Sequence, residues 1–210
     1  SYHSELSLAY QAHKKVSIQL SPGLLYRNLT NFEDDNLSPE IALNYYLNDN
    51  TSVYVAYKKA FKSGGIDNSA LPTASINPLS PTFEGFDALI YDSEEADGFE
   101  IGLKSNLFDN NMRINATYYK YEYTDLQVQL FDANIIQFST FNAGAVETEG
   151  FEADMLWYTD IEGLTLRGQF AWTDAVNTGD FFNTSGVNLK GSERSYSPEI
   201  AGSLGLSYDS

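Results

Sequence analysis

Two pairs of carboxylates, Glu147 with Glu149 and Glu152 with Asp154, stand at i, i+2 spacing. On a β-strand that spacing puts both acids of a pair on one face, where a glycosidase would hold its proton donor and its second carboxylate. A water-facing strand wall has the same pattern, and we read the four acids as such a wall. His3 and His13 are the only histidines; they are too far apart along one strand to form a metal pair, and His13 sits at a turn. Asp174 and Asp180, near Asn177 and Asn183, could offer oxygens to Ca²⁺, but their spacing fits no calcium loop. With no Cys in the chain, disulfides, thiolate metal sites and Cys nucleophiles are excluded. The expectation is a protein that is not an enzyme, with no catalytic residue, no metal and no cofactor.

What could position these side chains follows from composition and period. The 210 residues carry 12 Lys and Arg against 29 Asp and Glu, a net charge of -17. Phosphate backbones repel such a chain, so no nucleic acid is expected as partner. At 42% hydrophobic and 20% charged the sequence is too apolar for disorder. No run approaches the ~18 apolar residues of a membrane helix. The opening SYHSELSLAYQAHKK does not read as a signal peptide, so either one has been removed or the sequence is an internal piece.

Period 2 dominates. Ile41, Leu43, Tyr45 and Leu47 alternate with polar neighbours, and Val53, Val55, Tyr57 and Phe61 do so after the turn Asn48-Asp49-Asn50, which reads as a hairpin. The same pattern runs through Leu6 to Tyr10, Val16 to Leu24, Phe99 to Leu107, Phe151 to Trp157, Leu164 to Trp172 and Ile200 to Tyr208. In Met112 to Thr124 the even positions begin apolar and turn charged at Lys120 and Glu122, as in a strand that runs out of its apolar zone into water. Roughly nine strands result, most of them about 10 residues or longer, which matches a tilted bilayer crossing. Short turns alternate with longer connections at Arg27 to Asn36, Lys62 to Asp97, Phe131 to Asn134 and Ala175 to Arg194. In a meander this places all short turns at one end, as in outer-membrane barrels. Many of the 15 Tyr and 13 Phe fall near the ends of the apolar faces, where amphipathic rings meet a bilayer interface.

The fold class expected is therefore all-β, an antiparallel up-and-down transmembrane β-barrel in the outer membrane. The opposite face carries Glu40, Lys58, Glu100, Lys104, Glu152, Asp154 and Arg167, the expected lumen-facing polar residues. The alternatives are a small closed structural or adhesive outer-membrane barrel and a soluble β-sandwich that binds carbohydrate.

Several motifs carry a family resemblance. Phe99 to Ser105, Leu107-Phe108-Asp109-Asn110, Met112 to Tyr119 and Tyr123 to Gln127 resemble the barrel of TonB-dependent outer-membrane receptors, of the siderophore-receptor kind. Asn142-Ala143-Gly144-Ala145 with Thr148-Glu149-Gly150-Phe151-Glu152 is similar to one of that barrel's strands. Leu37 to Ile41, and Tyr54 to Tyr57 leading into Phe61 to Gly65, resemble its strand pair before a long extracellular loop. Ser-Pro-Glu-Ile-Ala recurs at Ser38 and Ser197, with Pro39 and Pro198 expected to open strands. The resemblance implies a receptor that actively imports a ferric siderophore or similar scarce solute, is embedded in outer-membrane lipid and lipopolysaccharide, and engages TonB through an N-terminal region. That family's barrel has about 22 strands around a plug. Residues 1–210 then read as part of one barrel, without the plug domain and the terminal strands.

Solute contacts are expected in the connection from Lys62 to Asp97, which is longer than compact domains usually carry without a purpose. It holds Phe83, Phe86 and Tyr91 with Glu84, Asp87, Asp92, Glu94, Glu95 and Asp97, and no basic residue after Lys62. Lys62, Phe83, Phe86, Tyr91 and Arg194 are the candidate ligand-binding residues.

Overall fold

The computed structural model describes residues 2–5, 8–13, 16–29, 32–67, 90–132, 137–183, 185–195 and 197–209, with backbone alone for residues 2–35, 132 and 137. The strands are β1 (Tyr2–Glu5), β2 (Leu8–His13), β3 (Val16–Leu29), β4 (Phe32–Asn48), β5 (Thr51–Lys62), β6 (Gly65–Ile66), β7 (Ile90–Tyr91), β8 (Glu94–Leu107), β9 (Met112–Thr124), β10 (Gln127–Asp132), β11 (Gln137–Asn142), β12 (Ala145–Tyr158), β13 (Leu164–Asn177) and β14 (Ile200–Tyr208). One ten-stranded antiparallel sheet contains all but four of them, in the order β1-β3-β4-β5-β8-β9-β12-β13-β14. Because β2 pairs with β3 as β1 does, further along it, the ten strands fill the nine positions that the alternation suggested. β6 with β7 and β10 with β11 form two separate ladders inside the connections of one end.

Alternation becomes two faces through the register. Leu43, Val55, Ile101, Tyr118, Phe151, Trp172 and Ile200 are successive cross-strand partners. This apolar face is bare: Leu43 is 47% exposed, Ile101 50% and Leu204 81%. Among the described residues only Ala56 and Val146 are buried hydrophobics, so no second sheet covers the apolar face as a β-sandwich would require. Leaving a large aliphatic side chain in water forfeits about 1.5–3 kcal/mol of burial. Lipid is the solvent that removes this cost.

Short turns close one end, at Asn48 to Thr51, Phe108 to Asn111 and Thr159 to Gly163. Asn50 N–H donates to the Asn48 side chain at 2.9 Å, which mimics a backbone turn bond. The Phe108 turn needs three residues at positive φ, 52° at Phe108, 53° at Asp109 and 71° at Asn110. The other end is less open than its sequence suggests. Most of Arg27 to Asn36 is strand: β3 runs to Leu29 and β4 starts at Phe32, with Arg27 opposite Asp34 and Leu29 opposite Phe32. Its polar residues break the alternation because the strands have already left the apolar zone. Glu94 to Asp97, expected in a loop, begins β8 in the same way.

Pro39 does not open a strand. It lies inside β4, opposite Pro22 of β3. Pro39 sits where a ladder is missing, one residue outside the β4–β5 pairing, which starts at Glu40, so its absent N–H has no partner to lose on that side. Pro198 lies two residues before a strand, β14, which starts at Ile200.

Candidate functional site

Glu40, Lys58, Glu100, Lys104, Glu152, Asp154 and Arg167 share the face opposite the apolar one, in five successive same-face rows of the register. Three of them converge. Lys58 Nζ lies 2.9 Å from Glu100 and 4.0 Å from Glu40, and Tyr121 Oη donates to Glu100 at 2.5 Å. Asp154 accepts from Asn115 Nδ2 at 3.1 and 3.0 Å. Lys104 lies 5.3 Å over the Tyr54 ring, a cation–π contact. Glu152 and Arg167 are exposed.

A feature that sequence reasoning missed organises this wall. Tyr54, Tyr119 and Tyr121 each lie across a glycine of the neighbouring strand: Tyr54 on Gly102, Tyr119 on Gly150 and Tyr121 on Gly98. A side chain at any of these glycines would collide with the ring, so Gly lets the phenol lie flat. The hydroxyls then reach past the adjacent strand, Tyr54 to Thr117 and Tyr119 to Thr173, each at 3.0 Å. The signal was present as Tyr119, Tyr121 and Tyr123 at i, i+2, with glycines on the strands beside them. The result is a polar concavity lined by phenol rings, Thr117, Thr148, Glu100 and Glu152, able to hydrogen-bond and stack.

One expectation about the acids is corrected. Glu152 and Asp154 do belong to the polar wall, but Glu147 and Glu149 point to the other side. There they meet Lys120 at 2.8 and 4.0 Å, and Tyr118 Oη donates to Glu149 at 2.9 Å. They lie beyond Phe151 toward the long-loop end, where the outer face has passed from lipid to water. Lys59 with Glu95 at 2.9 Å belongs to the same outer belt. Asp180 is taken by Lys190 at 3.9 Å and Asn188 at 2.9 Å. His3 and His13 pair with Leu25 and Val16 of β3, roughly 30 Å apart at ~3.3 Å per residue. Among the described residues no group of three His, Cys, Asp or Glu could hold a metal ion.

The candidate solute contacts are distributed along the long-loop end. Lys62 closes β5 with Glu94 at 3.9 Å. Tyr91, in β7, packs its ring on Gly65, so these two stand in the same hairpin. Arg194 is on a separate segment: its N–H bonds Ala175 O at 2.8 Å and its guanidinium donates to Asn177 Oδ1 at 3.4 Å. Phe83 and Phe86 lie outside the described residues. Gln127 and Asn142, which end one resembling motif and begin another but were given no role by them, join the loop hairpins.

The family model described as TonB dependent receptor-like, beta-barrel matches residues 6–210. No curated protein matches the chain in sequence. Among solved structures it is similar to the ferric yersiniabactin uptake receptor FyuA from Yersinia pestis, with TM-score 0.67 and 14% identity over 95% of this chain and 30% of that one. The ferripyoverdine receptor of the outer membrane of Pseudomonas aeruginosa, bound to ferripyoverdine, matches with TM-score 0.67 and 16% identity over 98% of this chain and 25% of that one. The copper transporter OprC matches with TM-score 0.66 and 15% identity over 97% and 32%. At these identities the likeness is one of fold, and the chain spans a third or less of each of these structures.

Proposed function

Since the chain belongs to the TonB-dependent receptor-like β-barrel family, a family of the bacterial outer membrane, we propose that it forms part of the barrel wall of a receptor that imports a ferric siderophore or a similar scarce solute. The observation that carries this reading is the pair of opposed faces: a bare apolar band for lipid, and a hydrated wall of tyrosines and ion pairs for a lumen. The solute would meet the long-loop end first, at Lys62, Tyr91 and Arg194 with Phe83 and Phe86. The rest of the receptor would supply the remaining strands, a plug and the segment that engages TonB. Lipopolysaccharide would contact the outer belt at Lys59 and Lys120, its phosphates on the lysines and its bridging divalent cations on the flanking acids. An anionic ferric chelate and a copper ion are both compatible with the fold; the aromatic residues and scattered cations at the rim favour the chelate, which offers flat, negatively charged surface.

The test is uptake by the full-length receptor as the sole outer-membrane receptor of its host. Growth on a panel of single ferric siderophores should identify one that depends both on the receptor and on TonB. Replacing residues 68–89 by a short Gly-Ser linker should abolish use of that source by at least about tenfold in transport rate, the scale of one lost ligand contact, with barrel assembly intact. Unchanged uptake of every source after the replacement would remove that loop from the site.

A further inference from the structure

Two hairpins at the outer end, β6–β7 and β10–β11, are broken where they leave the barrel. One break lies between β7 and β8 at Asp92, and the other between β9 and β10 at Asp125, whose φ is 52°. A strand break takes backbone N–H and C=O groups out of the ladder, and they must find other partners. Gln127 and Asn142, opposite each other in the β10–β11 register, supply them. Asn142 Oδ1 accepts from Asp92 N–H at 2.7 Å, and its Nδ2 donates to Asp92 O at 2.9 Å and to Asp125 O at 2.7 Å. One primary amide thus holds both polar groups of one break and a carbonyl of the other. Gln127 Nε2 spans the neck of the β6–β7 hairpin, donating to Ser63 O and Asp92 O at 3.0 Å and to Lys62 O at 3.3 Å. Its own N–H reaches Glu94 at 2.9 Å. A third tie comes from the opposite direction, where Thr140 N–H of β11 donates to the buried Asp67 at 2.7 Å.

We propose that Gln127 and Asn142 are positioning residues that fasten the β6–β7 and β10–β11 hairpins into one rim, so that order imposed on either hairpin is transmitted to the other. Only an amide does this, because the clamp needs donors and an acceptor on one planar group; a carboxylate at 142 keeps the bond from Asp92 N–H and loses both donors. Coupling of this kind is reciprocal. Contact made by a solute with one hairpin therefore stiffens the other, and this holds whichever solute the receptor takes.

The experiment is hydrogen exchange on the full-length receptor in lipid nanodiscs, comparing wild type with Asn142→Asp and Gln127→Met, which keep shape and remove donors. Amide exchange in Gly65–Ile66 and Ile90–Tyr91, across the gap from the substitutions, should rise about tenfold, the factor set by one lost clamp of ordinary strength. Exchange in β5 and β8 should not change. In the reverse direction Asp67→Leu should raise exchange in Gln137–Asn142, and Asp67→Asn, which keeps an acceptor, should restore it. Loosening confined to residues 125–144, or none, would overturn the coupling. If Asn142→Asp fails to assemble, as read by heat-modifiable gel mobility, Gln127→Met and the Asp67 pair decide the matter alone.

Discussion

Ile101→Arg will cost about 2–4 kcal/mol of folding stability in a bilayer, the penalty for a cation on the lipid face of a barrel near the midplane. Ile101 is the residue to test because its surroundings leave no other explanation. It is paired on both sides, with Val55 and Tyr118, so the strand cannot fray to let the guanidinium out. It is 50% exposed, so the larger side chain meets no steric obstacle, and any cost comes from the solvent. Gln169→Arg is the control: also exposed, also mid-strand, but on the polar wall and directly opposite Asp154. It should change stability by less than about 0.5 kcal/mol, the usual range for a hydrated surface substitution. Folding titrations of the full-length receptor into lipid vesicles measure both. Equal costs for the two arginines would mean that the faces are misassigned, and the membrane reading would fall with them.

How far the sequence could be read depends on what each signal reports. Strand positions and faces were legible wherever a strand crosses lipid, because there the apolar face must alternate without exception. Leu43, Val55 and Ile101 are placed as the alternation requires. Legibility stopped where the outer surroundings change from lipid to water. Most of Arg27 to Asn36 and all of Glu94 to Asp97 remain in strands but lose their period, since a strand wet on both sides needs no apolar residues. The same change turned Glu147 and Glu149 outward, though they match Glu152 and Asp154 in spacing: a one-residue offset at Gly150 separates the two pairs, and an acid on the outer face above the lipid is as well solvated as one inside. Pro39 misled for a related reason, because a proline marks a missing ladder bond and not a strand end. Gln127 and Asn142 fall within stretches that carry the resemblance, but nothing in their type or spacing shows a latch. A Gln or Asn at a strand end is ordinary, and only the pairing of two strand breaks makes these amides the groups that complete them. Tyr119, Tyr121 and Tyr123 were readable in principle, as an i, i+2 series next to glycines, but tyrosine at strand ends already had an interfacial explanation that hid the second one.

That tyrosine wall makes the second large prediction, in which two similar substitutions should behave differently. At Gly102 the three atoms nearest to a methyl all belong to the Tyr54 side chain, with Cζ at 2.5 Å and Oη at 2.8 Å. The ring can rotate away, giving up its bond to Thr117 and its contact with Lys104, so Gly102→Ala should cost about 1 kcal/mol, the worth of one ordinary hydrogen bond. At Gly98 a methyl would meet Tyr121 Cα at 2.8 Å and the carbonyl of Lys120 as well as the ring. Backbone held in register cannot rotate aside, because Gly98 and Tyr121 are direct partners in the β8–β9 ladder. Gly98→Ala should therefore reach the upper part of the ~1–3 kcal/mol range of overpacking. The two mechanisms separate in double mutants. Tyr54→Ser should absorb most of the cost of Gly102→Ala, since it removes the obstacle. Tyr121→Ser should leave most of the cost of Gly98→Ala in place and add the loss of the Tyr121 bond to Glu100. Folding free energies in lipid vesicles supply the four comparisons, and rescue of Gly98→Ala by Tyr121→Ser would show that the ring and not the neighbouring backbone dictates glycine there. In either case the glycines let phenol rings lie along the wall, which lines it with hydrogen-bonding groups.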